Sequence, residues 1–295
     1  MDGTVEIKKE EVSVDNATIK TNESDSVIKE FFLKEEGSYV KDLAPLFGQS
    51  ETELTKEFGV YKAKKVYSKL NYLLNDQNML SAVILKELSL AVKCSFNSVV
   101  VFPSCLGLAK STLNKSGVKL RALISYPYGE ELLKVSACSV KSAIKKGADQ
   151  VQVFLPVSPI KNGDMKGMLK YVKKLLKTAG KKDVIVTLDA GVLTLPELET
   201  AVRLIAKNTT VYAVAVQSSI SDNVVDLSIV KELINSADGR VLIECFSPIG
   251  IAEDAVSTLL AGASLVTTQN CPKIATDLSV KIERASGEKA QSLDK

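Results

Sequence analysis

From residue 70 onward the chain alternates two apolar patterns. Short runs of strand length recur at VVVF (99–102), VKLRALIS (118–125), DQVQVFL (149–155), DVIVTL (183–188), TVYAVAV (210–216), RVLIECF (240–246) and SLVTT (264–268), and 70–74 adds one more. Between them lie longer amphipathic stretches near 79–93, 105–115, 131–146, 164–179, 195–206, 223–235, 251–260 and 272–284. Apolar runs alternating with helix-length crossovers are what parallel strands require. Eight such units predict an α/β fold closed as a (β/α)8 TIM barrel over 70–295. No glycine-rich fingerprint follows the first strand, which argues against a dinucleotide-binding sheet. GAD (147–149) and AGAS (261–264) read as tight turns at the bases of strands.

The residues ahead of the barrel follow another pattern. Residues 1–26 have no sustained period and are rich in Glu, Lys, Asn, Asp, Ser and Thr, so they predict a disordered acidic tail. Residues 27–69 predict a helical extension, with its strongest stretch at 51–68, bent at Gly59. Charge follows the same division. Residues 1–60 hold 14 acidic and 7 basic side chains, and the remainder hold 21 and 31, giving −7 and +10. A basic body favours an anionic ligand or lets the acidic lead lie across it; a solvated tail on an ordinary basic surface fits the same numbers.

Composition narrows the chemistry. The 295 residues include no histidine, which excludes Ser-His-Asp and Cys-His nucleophiles and every His-containing metal site. No metal or other cofactor is called for. Tryptophan is absent and aromatics make up 5%, so no stacking platform for nucleic acid is expected. Five cysteines (94, 105, 138, 245 and 271), none in a CxxC pair, read as reduced and intracellular. With no secretory signal or membrane-length apolar run, the expected compartment is the cytoplasm.

Several segments in order resemble the deoxyribose-phosphate aldolase family: LLNDQN (73–78), FPSCLGLAKSTLNKSGVKLRALISYPYG (102–129), GADQVQVF (147–154), Asp189-Ala190-Gly191 and IAEDAV (251–256). The resemblance implies a class I aldolase barrel. That family cleaves 2-deoxyribose 5-phosphate to acetaldehyde and glyceraldehyde 3-phosphate through a Schiff base. Its nucleophile is a lysine ending strand six, a second lysine on strand seven helps depress the first one's pKa, and a strand-four aspartate takes part in proton transfer. An iminium electron sink requires a deprotonated amine, and a neighbouring cation or desolvation supplies the pKa shift.

Set against that pattern, the catalytic positions depart together. The strand-six motif reads Gln217-Ser218-Ser219-Ile220-Ser221, the strand-seven lysine appears as Glu244, and the strand-four aspartate appears as Gln152. A strand-five lysine corresponds to Ile185 and a first-strand aspartate to Leu70. Glutamine cannot form a Schiff base, and TTVYAVAVQSSIS (209–221) and RVLIECFSPIG (240–250) contain no lysine. The expected protein is therefore an aldolase-like barrel without catalytic residues, a pseudoenzyme retained for protein interaction or regulation. The alternative is an active lyase that cleaves 2-deoxyribose 5-phosphate or a related sugar phosphate by a divergent mechanism, with Asp189 and Glu244 sharing acid and base duties.

The family binds phosphate through backbone N–H groups of glycine-rich loops. Here Ser247-Pro248 replaces a Gly-Gly pair, and proline removes a donor. A small polar pocket for a sugar-phosphate ligand would be made by Ser221, Ser247, Gly250 and Asn270. Cys245 should face away from Glu244 as a small hydrophobe, and Cys105 opens the second helix. Along 164–179, Lys166, Lys170, Lys173 and Lys177 recur on one face, with Lys174 beside them and Met165, Leu169, Val172 and Leu176 as the opposing stripe. This ridge predicts a surface for an acidic protein partner, though an outer barrel helix also needs a solvated face. No specific nucleic acid partner is expected, and a homo-oligomer is left open.

Overall fold

The computed structural model describes residues 60–218 and 225–285. The expected tail, most of the expected helical extension, and Ser219, Ile220 and Ser221 lie outside the described residues. Eight strands close into a parallel barrel in sequence order: β1 (Leu70–Leu74), β2 (Ser98–Val101), β3 (Lys119–Ile124), β4 (Gln150–Phe154), β5 (Asp183–Asp189), β6 (Ala213–Gln217), β7 (Leu242–Phe246) and β8 (Leu265–Thr268). The ring closes where Asn71 pairs in register with Thr267.

Each strand is followed by its helix: α1 (Ser81–Cys94), α2 (Leu106–Leu113), α3 (Leu133–Lys145), α4 (Met165–Ala179), α5 (Leu195–Asn208), α6 (Leu227–Ala237), α7 (Ala252–Leu260) and α8 (Cys271–Ala285). A 3-10 turn (Pro103–Cys105) precedes α2, so Cys105 sits in that turn and not in the helix proper. A short helix (Val157–Lys161) precedes α4.

The elements match the pattern of apolar runs, with corrections at their ends. Strand six begins at Ala213 and not at residue 210, and it extends through Gln217. Strand seven begins at Leu242, because Arg240 belongs to the turn before it: its N–H donates to Ala237 O and its side chain meets Asp238. The apolar face of α4 is centred on Met168, Tyr171, Val172, Leu175 and Ala179; Met165, Leu169 and Leu176 lie at its margin. The stripe is rotated because Tyr171 turns inward, where its hydroxyl donates to Ser136 Oγ at 2.7 Å.

Strand alternation divides the core in two. Outward residues such as Leu70, Val151, Val186, Val214 and Cys245 pack beneath the helices. Inward residues fill the barrel, where the upper layer is a separate apolar cluster including Leu73, Leu123, Phe154, Ile185 and Phe246. The small Ala213 and Ala215 share this cluster and leave room for the large side chains opposite. Leu70 therefore faces the helices, and Asn71 and Leu73 are the β1 residues that enter the barrel.

Candidate active site in the barrel

Below the apolar layer the barrel centre is polar. Arg121 on β3 and Glu244 on β7 are both fully buried, with Arg121 Nη1 2.8 Å from each Glu244 oxygen. Around this ion pair, Thr267 Oγ1 donates to Glu244 Oε1 at 2.6 Å and Asn71 Nδ2 donates to Oε2 at 3.2 Å. Arg121 also donates from Nε to Gln150 Oε1 and from Nη1 to Gln152 Oε1. Gln152 in turn donates to Thr187 Oγ1 at 3.1 Å. Among the described residues, Arg121 Nη2 is the buried side-chain polar atom with no hydrogen-bond partner.

Buried charges are tolerated when paired and hydrogen-bonded, and here both conditions hold for the carboxylate. Both oxygens of Glu244 are committed to the cation and its neighbours. Gln152 acts as a bracket between Arg121 and Thr187. An amide has no titrating proton to exchange in this range, so Gln152 holds geometry and moves no charge.

Above the ion pair, aromatic rings fill the centre. Phe154 and Phe246 meet edge to face at 5.6 Å, and Tyr126 stands edge-on to Phe154 at 5.2 Å. Tyr126 reaches this position from the tight turn after β3. Gly129 in that turn has φ +73, and a Cβ there would collide with the Leu155 carbonyl.

The mouth above the rings holds a cavity of about 270 Å³. Gln217 ends β6 at its edge, with Nε2 donating to Pro127 O at 3.0 Å. Asp189 ends β5 in register with Gln217, two residues above the level of Ala215 and Glu244. Asp189 Oδ1 accepts from Gly191 N–H at 2.8 Å, closing the turn. The two carboxylates considered as an acid–base pair therefore lie in different layers.

Of the residues considered for a sugar-phosphate site, Ser247, Gly250 and Asn270 gather near the β7 and β8 loops, and Ser221 lies outside the described residues. Ser247 Oγ accepts from Val225 N–H, and Asn270 Nδ2 donates to Ile249 O. A Cβ added at Gly250 would lie 3.8 Å from Asn270 Nδ2. The backbone donors of this corner are largely used: Ser247 N–H donates to Thr267 O and Ile249 N–H to Ser247 O. Ala252 N–H, at the start of α7, donates to the Asp277 carboxylate at 3.1 Å. An anion from the chain itself thus sits at the helix N-terminus where phosphate would be sought.

Lys166, Lys170, Lys173, Lys174 and Lys177 are all exposed on α4, and none forms an ion pair with another described residue. Cys245 is buried beneath the helices; burial first, then the Glu244 charge, pushes its thiol up to about 12. No group of three or more potential metal ligands occurs among the described residues, and no helix there is long and apolar enough to cross a membrane. The sequence reading missed Arg121 and the aromatic layer. A charged residue in the middle of the apolar run VKLRALIS was the available signal.

A closed parallel (β/α)8 barrel with its cavity at the C-terminal mouth is the architecture of TIM-barrel enzymes. Comparison with known proteins shows what the chain is similar to. Residues 74–215 match the model of the DeoC/LacD family aldolase. The chain is 28% identical over 186 residues to the deoxyribose-phosphate aldolase of Acholeplasma laidlawii, covering 62% of this chain and 82% of the relative. Among solved structures, a protein described as "QR15, an Aldolase" superposes with a TM-score of 0.69 at 19% identity, covering 75% of this chain and 98% of that one. The deoxyribose phosphate aldolase from Aeropyrum pernix, described as having a unique tetrameric structure, gives 0.65 at 19% identity over 75% and 95% of the two chains. Together these matches make the barrel similar to the deoxyribose-phosphate aldolases in sequence and alike in fold.

Proposed function

We propose that this chain is an aldolase-family barrel that performs no Schiff-base chemistry and is retained for protein interaction or regulation. The observation that carries the reading is the buried Arg121–Glu244 pair. A class I aldolase requires a free, deprotonated amine inside the barrel. Strands β6 (AVAVQ) and β7 (LIECF) supply none. Gln217 and Gln152 stand where the resemblance sets the nucleophile and the proton-transfer aspartate, and both amides are engaged in structural hydrogen bonds.

A lysine at the level of Glu244 would also face the fixed Arg121 cation. Two buried like charges repel, so a restored lysine would demand that Arg121 change as well. The reversal of charge on β7 is thus matched by a partner on β3, which supports a stable reorganised interior.

The interaction part of the reading rests on the five exposed lysines of α4, which fit an acidic protein surface. A homo-oligomer is consistent with the tetramer described for the Aeropyrum pernix protein. The test is retro-aldol turnover: pure protein incubated with 2-deoxyribose 5-phosphate should release no acetaldehyde above the protein-free rate. Release proportional to protein concentration, lost on boiling, would restore the divergent-lyase alternative.

A further inference from the structure

The loop between β3 and α3 inverts the usual arrangement of polar and apolar side chains. Its acids turn inward. Glu130 accepts hydrogen bonds from the Val157 and Ser158 N–H groups and from the Ser158 hydroxyl, and Glu131 accepts from the Ser125 and Ser136 hydroxyls. Its large apolar groups turn outward. Tyr128 is 66% exposed, Leu132 79% and Val135, in the first turn of α3, 48%. No other large apolar side chain among the described residues is as exposed as Leu132. Backbone bonds hold the arrangement: Gly129 N–H donates to Ser125 O and Val135 N–H to Leu132 O, each at 2.8 Å. Apolar residues exposed singly need no explanation, but three on one hydrogen-bonded turn form the kind of patch that marks an interaction site.

The charge beside the patch selects the occupant. The exposed face of α3 carries Lys134, Lys141 and Lys145, and α3 contains no acidic residue. The three lysines stand at i, i+7 and i+11, which places them along one side of the helix. A protruding leucine beside a row of cations suits a deformable anionic surface. In a lipid bilayer the apolar groups enter the boundary between headgroups and acyl chains, while the lysine stems let their ammonium groups stay at the level of the phosphates. Each lysine near such a surface strengthens binding roughly fivefold. A protein would instead have to offer a pocket for Leu132 and a row of carboxylates beside it in one fixed register.

We infer that α3 and the loop entering it form a docking surface for a membrane rich in anionic phospholipid, with Tyr128, Leu132 and Val135 inserted at the interface and Lys134, Lys141 and Lys145 on the headgroups. The attachment is peripheral, because α3 has 13 residues and a spanning helix needs about 20. This surface is separate from the α4 lysines to which the proposed function assigns an acidic protein. Failure of that function would appear as aldol turnover or as partner binding without α4, and failure here as lipid binding that ignores α3.

The experiment cosediments the full chain with vesicles of phosphatidylcholine alone and of phosphatidylcholine mixed equally with phosphatidylserine. The protein should bind the mixed vesicles and not the neutral ones, and added salt should weaken it. Leu132→Ser should weaken binding roughly tenfold, and K134E/K141E/K145E on the order of 100-fold. All four positions are exposed or at the helix entrance, so the thermal midpoint should stay near the parent's. K170E/K173E/K177E on α4 should weaken binding less than the α3 triple variant does. A polarity-sensitive fluorophore on the exposed Cys138, on the same helix, should shift to the blue as the mixed vesicles bind. Equal sedimentation with neutral vesicles would overturn the inference, as would binding that Leu132→Ser and the α3 triple variant both leave unchanged. Capture by poly-L-glutamate that needs the α3 lysines, with no sedimentation on mixed vesicles, would assign the face to an acidic protein and overturn it too.

Discussion

Arg121 and Glu244 stabilise one another only as a pair. Glu244→Gln would leave a guanidinium in the barrel centre without its counter-charge, and breaking such a buried pair costs about 3–5 kcal/mol. Replacing both partners by apolar residues, as in R121M/E244L, should recover most of that loss, because packed hydrophobes often match a buried ion pair. Urea unfolding of the three proteins checks this; equal stability of E244Q and the parent would contradict it. The cysteines give a second test at this scale. Burial raises the Cys245 thiol to about 12 and drives Cys271 upward as well, whereas Cys138 is exposed. At pH 8, alkylation read by peptide mass should therefore reach Cys138 first and spare Cys245 and Cys271 in the folded protein. Glu244 was visible in the sequence as a departure, but its meaning was not. Its counter-ion lies 123 residues away, and only barrel closure brings β3 and β7 face to face across the interior.

Secondary-structure elements were more legible than the contacts between them. Period and length fixed the eight strands, because a strand buried on both faces reads as a continuous apolar run. The ends were less legible, since turns such as that at Arg240 are set by local hydrogen bonds. On α4 the lysine face was readable from spacing, while the rotation of the apolar face depends on what Tyr171 meets across the gap. Reversing Lys170, Lys173 and Lys177 to Glu should leave thermal stability nearly unchanged, because exposed substitutions usually alter it by less than about 0.5 kcal/mol. The same triple variant should lose binding to poly-L-glutamate at physiological ionic strength. Retained binding would remove α4 as the docking surface. At the start of α5, Thr194 N–H and hydroxyl both donate to the Glu197 carboxylate, which also meets Lys161. The Lys161 hydrogen bond and then those of Thr194 hold this carboxyl down at about 2. A depressed folded-state pKa gives stabilisation that is present above the unfolded value of 4.5 and lost as pH falls toward 2. NMR titration of Glu197 should therefore show a midpoint well below 4.5, moving upward in K161A; a midpoint unmoved by that substitution would contradict the assigned cause.

For the molecule as a whole, the barrel closes around a polar and aromatic interior. The ladder closes without interruption, the helices cover it, and the centre is filled by an ion pair below an aromatic layer. Histidine is missing from the chain, and strands β6 and β7 contain no lysine. The fold could be read from periodicity because many residues each contribute a little. The site could not be read fully, because its character depends on a few inward side chains whose partners come from opposite strands. The central claim is that no amine in this barrel forms a Schiff base. It is tested most directly by incubating the intact protein with borohydride and either 2-deoxyribose 5-phosphate or uncharged 2-deoxyribose, then measuring intact mass and mapping peptides. Including the uncharged sugar separates a missing amine from a rejected phosphate. The account predicts no stoichiometric adduct with either sugar. A single modified lysine, formed in proportion to the protein and dependent on the sugar, would contradict it.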